Sequence, residues 1–431
     1  MQPLNKVRSV LAGERERDDG PPDESPELLL RRLRIALTAF FALDGFIFAG
    51  WVVRIPAIKE QTGASAGALG LALLGVSVGG VVTMTLTGRL CRRFGSHRVI
   101  VVSGVLLSCS VVLPPLTASA LALGLVLLVF GAAYGGISVA VNAAAVELVD
   151  VLRRPVMPGF HAAFSLGGML GAGLGGLVAG QLSATRHLLL LAALGLALTA
   201  VAARPLLAHA IPAPAVPEGE AAAEHRESDP GGGEKDGRSM AGRARRLVLI
   251  LGLIALCTEY GEGALADWSA LHLSADLGAG AGTAAMGYSV FSLAMTVGRL
   301  SGTALLERFG QSRVLVTSGV VAAVGMLAGA LGPSVPAVLT GFVISGLGLA
   351  NIIPIAIARS GALAGPSGVA AASTMSYGGI LLGPVAIGFL ADWFSLTIAL
   401  TTTAGLAALA AAVAFAVRHS ALEDPPAPAA G

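Results

Sequence analysis

The stretch RRFGSHRVIVVSG, residues 92–104, returns 215 positions later as ERFGQSRVLVTSG, residues 307–319. Each copy places an Arg-Phe-Gly sequence before an apolar run. Three further pairs keep similar offsets of 209 to 215 positions: SLGGML from Ser165 with SYGGIL from Ser376, Asn142 with Asn351, and Asp44 with Glu259. Repetition at one long offset predicts that the chain is built from two similar halves.

The composition around this repeat is typical of a membrane protein. Of 431 residues, 55% are hydrophobic and 13% are charged, and the mean hydropathy is +0.79. A soluble domain usually carries about 25% charged residues. Because a membrane helix needs about 20 mostly apolar residues, the sequence predicts twelve spans. They cover residues 33–53, 64–88, 98–116, 119–146, 159–183, 186–208, 246–269, 283–305, 313–331, 335–358, 369–391 and 394–417.

The distribution of basic residues predicts the orientation. With the N-terminus inside, almost all arginines between spans fall in inner segments, and the outer loops hold only Arg54, Lys59 and Arg186. Positive charge accumulates on the cytoplasmic side, so both termini are predicted to be cytoplasmic. The tryptophans are expected at the outer headgroup level, where indole rings are common. They are Trp51, Trp268 and Trp393.

Polar segments divide the chain into domains. Residues 31–208 and 246–418 are predicted as two six-helix halves. Residues 1–30, 209–245 and 419–431 are rich in charged residues, Pro or Gly, a composition typical of disorder. They are predicted as a cytoplasmic N-terminal tail, a cytoplasmic linker and a cytoplasmic C-terminal tail.

The two halves and their basic loops resemble the major facilitator superfamily. This resemblance covers residues 33–418 and implies an all-α membrane fold of twelve helices in two pseudo-symmetric halves. It also implies that a loop between spans 2 and 3, with a weaker copy between spans 8 and 9, latches the halves together on the inner side. The matching residues are Gly88, Arg92, Arg93, Gly95 and Arg98, then Glu307, Arg308, Gly310 and Arg313. Arg92 replaces the family's acid in the first copy, which favours the second copy as the latch. The alternative is that these charges only set the orientation.

Four short stretches resemble a narrower branch, the sugar permeases of the fucose–proton symporter type. They are RIPAIKE from Arg54, MPGFHAAFSLGG from Met157, ADWSALHL from Ala266 and GLGLANIIPIA from Gly346. This resemblance implies a bacterial inner-membrane protein and a small polar solute such as a sugar, and it does not fix the substrate.

Three acids lie within predicted spans, and they are the first candidates for proton coupling or substrate binding. Asp44 is near the middle of span 1, and Glu259 and Glu262 are near the middle of span 7. A carboxyl group in the hydrocarbon core is costly and is usually functional. Since spans 1, 4, 7 and 10 line the cavity in the family, these acids are expected to face it. The alternative is a structural bond between helices. Asp267, beside Trp268, is interpreted as an interfacial charge.

Further polar residues could contact a solute. Tyr134, Ser138 and Asn142 recur every four residues in span 4 and therefore share one helix face. Asn351 in span 10 could bind hydroxyl groups, or it could join helices. His161 is a candidate for gaining and losing a proton during transport, or it is an ordinary interfacial histidine. Tyr377 is a candidate for lining the cavity. Arg299 in span 8 is expected to extend toward the inner headgroups; the alternative is that it binds a carboxylate of the substrate.

The sequence also excludes several classes of protein. It has no phosphate-binding loop, no metal-binding helix motif and three cysteines without metal-ligand spacing. No enzyme, cofactor or metal site is predicted, and a net charge of +2 does not suggest nucleic acid. The predicted function is a monomeric secondary transporter of a small organic solute, coupled to protons. The alternatives are a proton-driven exporter of a drug or natural product, and a transport-inactive sensor or scaffold. Because only 5% of residues are aromatic, a polar solute is favoured.

Overall fold

The computed structural model describes residues 26–152, 156–208 and 234–421, and within these ranges the regular structure is entirely helical. The α-helices are Pro26–Val52, Ile55–Thr62, Ala66–Phe94, Ser96–Ser110, Ala120–Leu152, Met157–Ala179, Ala184–Ala208, Glu234–Ala275, Ala281–Phe309, Gln311–Leu331, Val335–Leu349, Ile352–Trp393 and Leu396–Ala421, with a 3-10 turn at Pro114–Leu116. The predictions for residues 1–25, 209–233 and 422–431 lie outside the described residues.

Within the described residues, twelve segments are long and apolar enough to cross a membrane, which confirms the predicted number. We number them spans 1 to 12. They are Glu27–Val52, Ala66–Phe94, Ser96–Leu116, Ala120–Val149, Gly159–Ala179, Ala184–Ala208, Gly242–Ala275, Ala281–Phe309, Gln311–Leu331, Val335–Gly365, Ser367–Trp393 and Leu396–Arg418. Several extend past the predicted ends because a helix continues through charged residues, as span 2 does through Arg92 and Arg93.

Because the described residues contain an even number of spans, the start of span 1 and the end of span 12 lie on the same side of the helical bundle. We call this side the terminal face; it carries the turns at Gly95 and Gly310. The opposite side, which carries the turns at residues 53–65 and 394–395, is the distal face. Gly95 and Gly310 end spans 2 and 8 with φ values of 84° and 77°. Both values lie in the left-handed region that favours glycine. The repeated sequence therefore builds the same turn in both halves.

The predicted linker 209–245 is shorter than expected. The helix that contains span 7 begins at Glu234, so residues 234–245 of the predicted linker are helical. The helix continues through Arg243, Arg245 and Arg246 before it reaches the apolar segment. Sequence reasoning placed the boundary where hydropathy changes, whereas a helix can extend beyond the apolar part of its span.

Helices within a half pack closely at glycines. A Cβ atom on Gly167 of span 5 would meet the main-chain oxygen of Ala42 in span 1, and one on Gly45 would meet the oxygen of Phe164. Small residues allow such backbone contact where lipid supplies no hydrophobic driving force between helices. These contacts join spans 1 and 5 along one face of each helix.

The prediction that all three tryptophans lie at the headgroup level is wrong for two of them. Trp51 and Trp268 are buried, at 1% and 0% exposure, and only Trp393 is exposed, at 72%. Trp51 packs against Phe130 with 6.2 Å between ring centroids. Both indoles face inward because spans 1 and 7 lie inside the bundle, where a position near the helix end is still covered by neighbouring helices.

Arg54 is also buried, although it was predicted in an outer loop. Its exposure is 3%; its Nε donates to His187 Nδ1 at 2.9 Å and its Nη1 donates to the Ala179 oxygen at 3.3 Å. Burial lowers the pKa of Arg54 from its ordinary value, because it disfavours the charged form. This guanidinium fastens the ends of spans 5 and 6 to the turn after span 1.

Hydrogen bonds join the two halves at the distal face. Asp392 of span 11 accepts from the Ser65 hydroxyl at 2.8 Å and from the backbone N–H groups of Ala66 and Gly67 at 2.9 and 2.8 Å. Nearby, a Cβ atom on Gly70 would meet the Pro384 oxygen. Spans 2 and 11 therefore close the boundary between the halves at this end.

Candidate functional site

A cavity of about 330 Å³ lies between the two halves, and both halves contribute to its lining. The side chains with polar groups are Ser77, Tyr134, Ser138, Glu259, Glu262, Asp267, Tyr288, Ser373, Ser376 and Tyr377, together with the indole of Trp51. A volume of this size is at the lower end of the range for small-molecule pockets.

One helix supplies every carboxylate in the lining. Glu259, Glu262 and Asp267 all belong to span 7, and the described lining contains no Lys, Arg or His. Glu259 and Asp267 are about 12 Å apart along the axis, at the α-helical rise of about 1.5 Å per residue. The cavity therefore has an acidic wall, which we define as these three residues. The expectation that Glu259 and Glu262 share a face agrees with this placement.

Glu262 is the acid with a charged partner. Arg299 Nη2 in span 8 lies 3.4 Å from Glu262 Oε1, and its Nη1 donates to the Ser165 hydroxyl at 3.1 Å. Ser165 belongs to the first half, so Arg299 also connects the halves. The expectation that Arg299 extends to the headgroups is wrong. A nearby carboxylate offers stronger compensation for the guanidinium within the membrane than a distant interface does.

The other two acids have weaker partners or none. Glu259 Oε1 accepts from the Ser376 hydroxyl at 3.4 Å. Asp267 makes no hydrogen bond or ion pair with any described residue, and it lines the cavity instead of the membrane interface. The interpretation of Asp267 as an interfacial charge is therefore wrong. The helical offset of eight residues from Glu259 could have placed Asp267 on the same face, had span 7 been drawn to its full length.

Aromatic rings form much of the remaining lining. They are Phe48, Trp51, Tyr134, Phe164, Tyr288 and Tyr377. Aromatic residues are thus far more frequent in the lining than in the whole chain, where they make up 5%. Phe48 stacks on Tyr134 at 5.0 Å and meets Tyr288 edge-on at 6.5 Å between centroids. The low aromatic content of the whole chain therefore does not hold for its cavity. The prediction of a polar solute depended on that low content, so the cavity does not support it.

Asp44 does not line the cavity. It is 2% exposed, and its Oδ1 has no hydrogen-bond partner among the described residues. Its repeat counterpart Glu259 lines the cavity, so the expected symmetry of the two acids is broken. Span 1 places Phe48 and Trp51 at the cavity instead, and Asp44 lies among the helices of the first half, within electrostatic range of Tyr134.

The other predicted polar residues divide into two groups. Tyr134, Ser138 and Tyr377 line the cavity. Asn142, Asn351 and His161 do not. Asn142 Nδ2 donates to the Ser138 oxygen in its own helix at 2.8 Å, and Asn351 Nδ2 donates to the Gly298 oxygen at 3.0 Å. Asn351 thus joins spans 8 and 10 at a break in span 10. The break comes just before Pro354, where the backbone cannot complete its helical hydrogen bonds.

His161 lies near the terminal-face end of span 5. Its side chain is exposed and meets the Phe41 ring edge-on at 5.6 Å between centroids. It is therefore placed in neither the acidic wall nor the aromatic lining. Among the described residues, no group of three or more acidic, His or Cys side chains could hold a metal ion.

Sequence comparison identifies the family. The profile described as "Major Facilitator Superfamily" matches residues 35–261 and 248–431. The chain belongs to the Major Facilitator Superfamily. It is 34% identical over 383 residues to an uncharacterized MFS-type transporter of Yersinia pestis, covering 88% of this chain and 94% of that one. It is 33% identical to an uncharacterized transporter of Sinorhizobium fredii, covering 88% and 96%. It is 28% identical to the membrane protein MosC of Rhizobium meliloti, covering 84% of each.

Solved structures share the fold of this superfamily member. A bacterial homologue of the human lysosomal transporter Spinster aligns with a TM-score of 0.71 at 14% identity, covering 94% of this chain and 100% of that one. The nucleoside transporter NupG, as its D323A mutant, aligns with a TM-score of 0.68 at 15% identity, covering 89% and 99%. The superfamily is one of membrane transporters and not of enzymes.

The loops that resemble the superfamily motif lie at the terminal face. Arg93 and Arg308 each lie over the next phenylalanine ring, at 5.3 and 5.4 Å from the centroids of Phe94 and Phe309. Among the described residues, Glu307 makes no ion pair with the first half. A latch by Glu307 and Arg308 therefore stays a prediction, to be tested in a conformation that brings these loops together.

Proposed function

We propose that this superfamily member moves a small organic solute across the bacterial inner membrane by alternating access, with coupled movement of protons. The observation that carries the proposal is a solute-sized cavity at the boundary between the halves, with an acidic wall on one side. In this fold, alternating access arises when the two halves rock around a central site.

The contacts between the halves support one stage of this cycle. Asp392 and its three donors fasten spans 2 and 11 at the distal face, and Ser292 donates to the Ser165 oxygen at 3.0 Å between spans 5 and 8. The asymmetry of the arginines favours a cytoplasmic terminal face. With that orientation, the distal closure corresponds to a transporter closed toward the outside.

Proton coupling is assigned to Glu259 and Asp44. Glu259 reaches the cavity, and its one hydrogen bond among the described residues, accepted from the Ser376 hydroxyl, is long at 3.4 Å. The carboxylate is therefore weakly compensated and can take up a proton from the cavity. Asp44 has an unsatisfied oxygen in a buried site. This situation is costly for a carboxylate unless it gains a proton or a partner during the cycle. Tyr134 lines the cavity and lies within electrostatic range of Asp44.

Transport in proteoliposomes tests the proposal. Purified protein would be given labelled sugars, nucleosides, amines and carboxylates under a pH gradient of either direction. We expect one class to accumulate against its gradient, and expect Asp44→Asn and Glu259→Gln to abolish accumulation while passive exchange persists. Glu60→Gln, at an exposed acid outside the cavity, is the matched control.

Two results would contradict the proposal in different ways. Unchanged accumulation in both variants would exclude these acids as the coupling groups. Failure of the wild type to move any solute class, under either gradient, would exclude transport itself.

Export of an amphipathic compound is the second candidate. The aromatic lining favours it, because aromatic faces bind apolar and cationic surfaces. The sign of the pH gradient that drives accumulation separates import by symport from export by antiport. The narrower resemblance to fucose–proton symporters favours import of a sugar, and the same panel tests it.

A further inference from the structure

The charges of the cavity are strongly one-sided. Three carboxylates line it, and the basic group nearest to them, Arg299, is engaged with Glu262 and Ser165. Glu259 and Asp267 therefore face the cavity without an ion pair to a described residue, and of these two only Glu259 lies within electrostatic range of Arg299. A solute that carries positive charge would compensate them, whereas an anionic solute would add to an unfavourable charge.

Asp267 is the acid that is best placed to receive such a solute. Glu262 has Arg299 and Glu259 has Ser376, but Asp267 has no partner within the described part of the chain. Its distance of about 12 Å along span 7 from Glu259 is too large for one ammonium group to bond both acids. The two acids can therefore serve different ligands, a solute at Asp267 and a proton at Glu259.

Tyr288 is a second, independent observation at the same place. It is 8% exposed, it lines the cavity, and its hydroxyl makes no hydrogen bond with a described residue. It lies within electrostatic range of Glu262, Arg299 and Asp267. A hydroxyl on a largely buried side chain that opens onto a cavity, without a partner among the described residues, is a position for a ligand atom, since polar groups in such places are normally hydrogen-bonded.

The neighbouring rings provide a suitable surface for a cation. Phe48 meets the ring of Tyr288 edge-on, and Phe48 stacks on Tyr134. The faces of aromatic rings carry partial negative charge and attract ammonium groups, with Trp the strongest and Tyr and Phe weaker. Trp51 also lines the cavity.

We propose that the transported solute is a small organic cation, an amine that is protonated at neutral pH, held by the carboxylate of Asp267 and by Tyr288. The apolar or hydroxylated remainder of the solute lies against Phe48, Tyr134 and the serines of span 11. This inference rests on the proposed transport function and names the chemical class of its solute.

A binding experiment on the purified full chain in detergent tests the class without needing transport. The probes form isosteric sets: 2-phenylethylamine, 2-phenylethanol and phenylacetate, and separately glucosamine and glucose. We expect the amines to raise the melting temperature and to bind at least about tenfold more tightly than their neutral or anionic counterparts, a ratio typical of one good charged contact.

Three variants assign the contacts. Asp267→Asn should reduce amine affinity by about tenfold and leave the weak binding of the neutral probes unchanged. Tyr288→Phe, which keeps the ring, should reduce amine affinity by a few-fold, and Tyr288→Leu should reduce it further. Glu60→Gln is the control of equal charge change at an exposed site. Size-exclusion profiles and unliganded melting temperatures establish that each variant is folded.

Equal binding of amine and alcohol by the wild type, or unchanged amine binding by folded Asp267→Asn, would overturn the inference. Either result leaves transport of another solute class open to the proteoliposome panel. Conversely, amine binding in detergent without movement in proteoliposomes would support recognition of a cation and contradict transport, so the two failures are distinguishable.

Discussion

Asp392 caps a helix that belongs to the other half of the molecule: its Oδ2 accepts the hydroxyl of Ser65, the residue before span 2, at 2.8 Å. The backbone N–H groups of Ala66 and Gly67 donate to the same carboxylate. The first N–H groups of a helix have no partner within it, and they carry partial positive charge that favours an anion. The contact must break when the distal face opens.

Asp392→Asn should therefore favour the conformation that is open at the distal face. Loss of about 1 kcal/mol from the closed state shifts the ratio of conformations about fivefold. Labelling of a single cysteine at Ile380, a cavity-lining position, by a maleimide that cannot cross the membrane measures this shift. The background would lack Cys91, Cys109 and Cys257. Glu60→Gln should not change the rate, and an unchanged rate in Asp392→Asn would contradict the role of the cap.

The pair of Glu262 and Arg299 should show energetic coupling. Removing one partner of a partly buried ion pair leaves an uncompensated charge, whereas removing both does not. We expect Arg299→Gln alone to lower stability more than the double variant Glu262→Gln with Arg299→Gln, with a coupling of about 1 kcal/mol. Denaturation of the four proteins in detergent completes the cycle. If the two single substitutions changed the stability by amounts that simply add in the double variant, the 3.4 Å contact would not contribute to stability.

Gly167 should not tolerate a larger side chain. Its missing Cβ lies against the Ala42 oxygen, so Gly167→Ala forces spans 1 and 5 apart at a cost of about 1–3 kcal/mol. Gly173, six residues later in the same helix, has only the Ser289 hydroxyl at 3.9 Å from a built Cβ. Gly173→Ala should be neutral or slightly stabilising, because alanine favours the helix. Equal melting temperatures of the two variants would contradict the packing argument.

Asp276, at the distal end of span 7, should contribute stability that depends on pH. Burial acts to raise the pKa of this carboxyl, but hydrogen bonds from His272 at 2.7 Å and Thr397 at 3.0 Å outweigh it and hold the pKa below its ordinary value. These bonds favour the charged form of the carboxyl. Because the folded pKa is depressed, the stabilisation is complete above the unfolded value of about 4 and is lost as the pH falls through the folded value.

The melting temperature of the wild type should therefore exceed that of Asp276→Asn at neutral pH, and the difference should narrow below about pH 4. A hydrogen bond to a charged group contributes about 1.5–3 kcal/mol when buried, and solvent screening reduces this value at the partly exposed Asp276. For Glu60→Gln, the difference in melting temperature from the wild type should not narrow as the pH falls. If the melting temperatures of the wild type and Asp276→Asn differed by the same amount at neutral and acidic pH, the charged carboxylate would not be the source of the stabilisation.

The twelve spans and the two halves could be predicted because they depend on local composition and on repetition, both of which are visible in one sequence. The rotation of each helix about its axis is different, since it depends on neighbours that are distant in sequence. Asp44 and Glu259 occupy equivalent repeat positions, yet only Glu259 reaches the cavity. Similarly, Trp268 and Arg54 are residue types that are common at a membrane interface, but both side chains are buried by neighbouring helices.

The two residues proposed to hold the solute, Asp267 and Tyr288, are not among the predicted site residues, for identifiable reasons. The sequence predicts that span 7 ends at residue 269, which puts Asp267 at the interface, whereas the helix continues to Ala275 and Asp267 lies further inside. Tyr288 belongs to no recognisable sequence motif. Its hydroxyl has no partner in the described part of the chain, and this property depends on contacts between helices that are distant in sequence. Arg299 was misjudged because its partner Glu262 lies on another helix.

All carboxylates of the described cavity lining lie on span 7, so only the second half contributes negative charge to the cavity. In the proposed function, the second half would respond to the charge of the solute, and the first half, through Phe48, Trp51 and Tyr134, would respond to its shape. Changes in the first half could then alter which molecules fit without altering the electrical balance of the cycle. The two properties of the solute, its charge and its shape, would then depend on different halves of the chain.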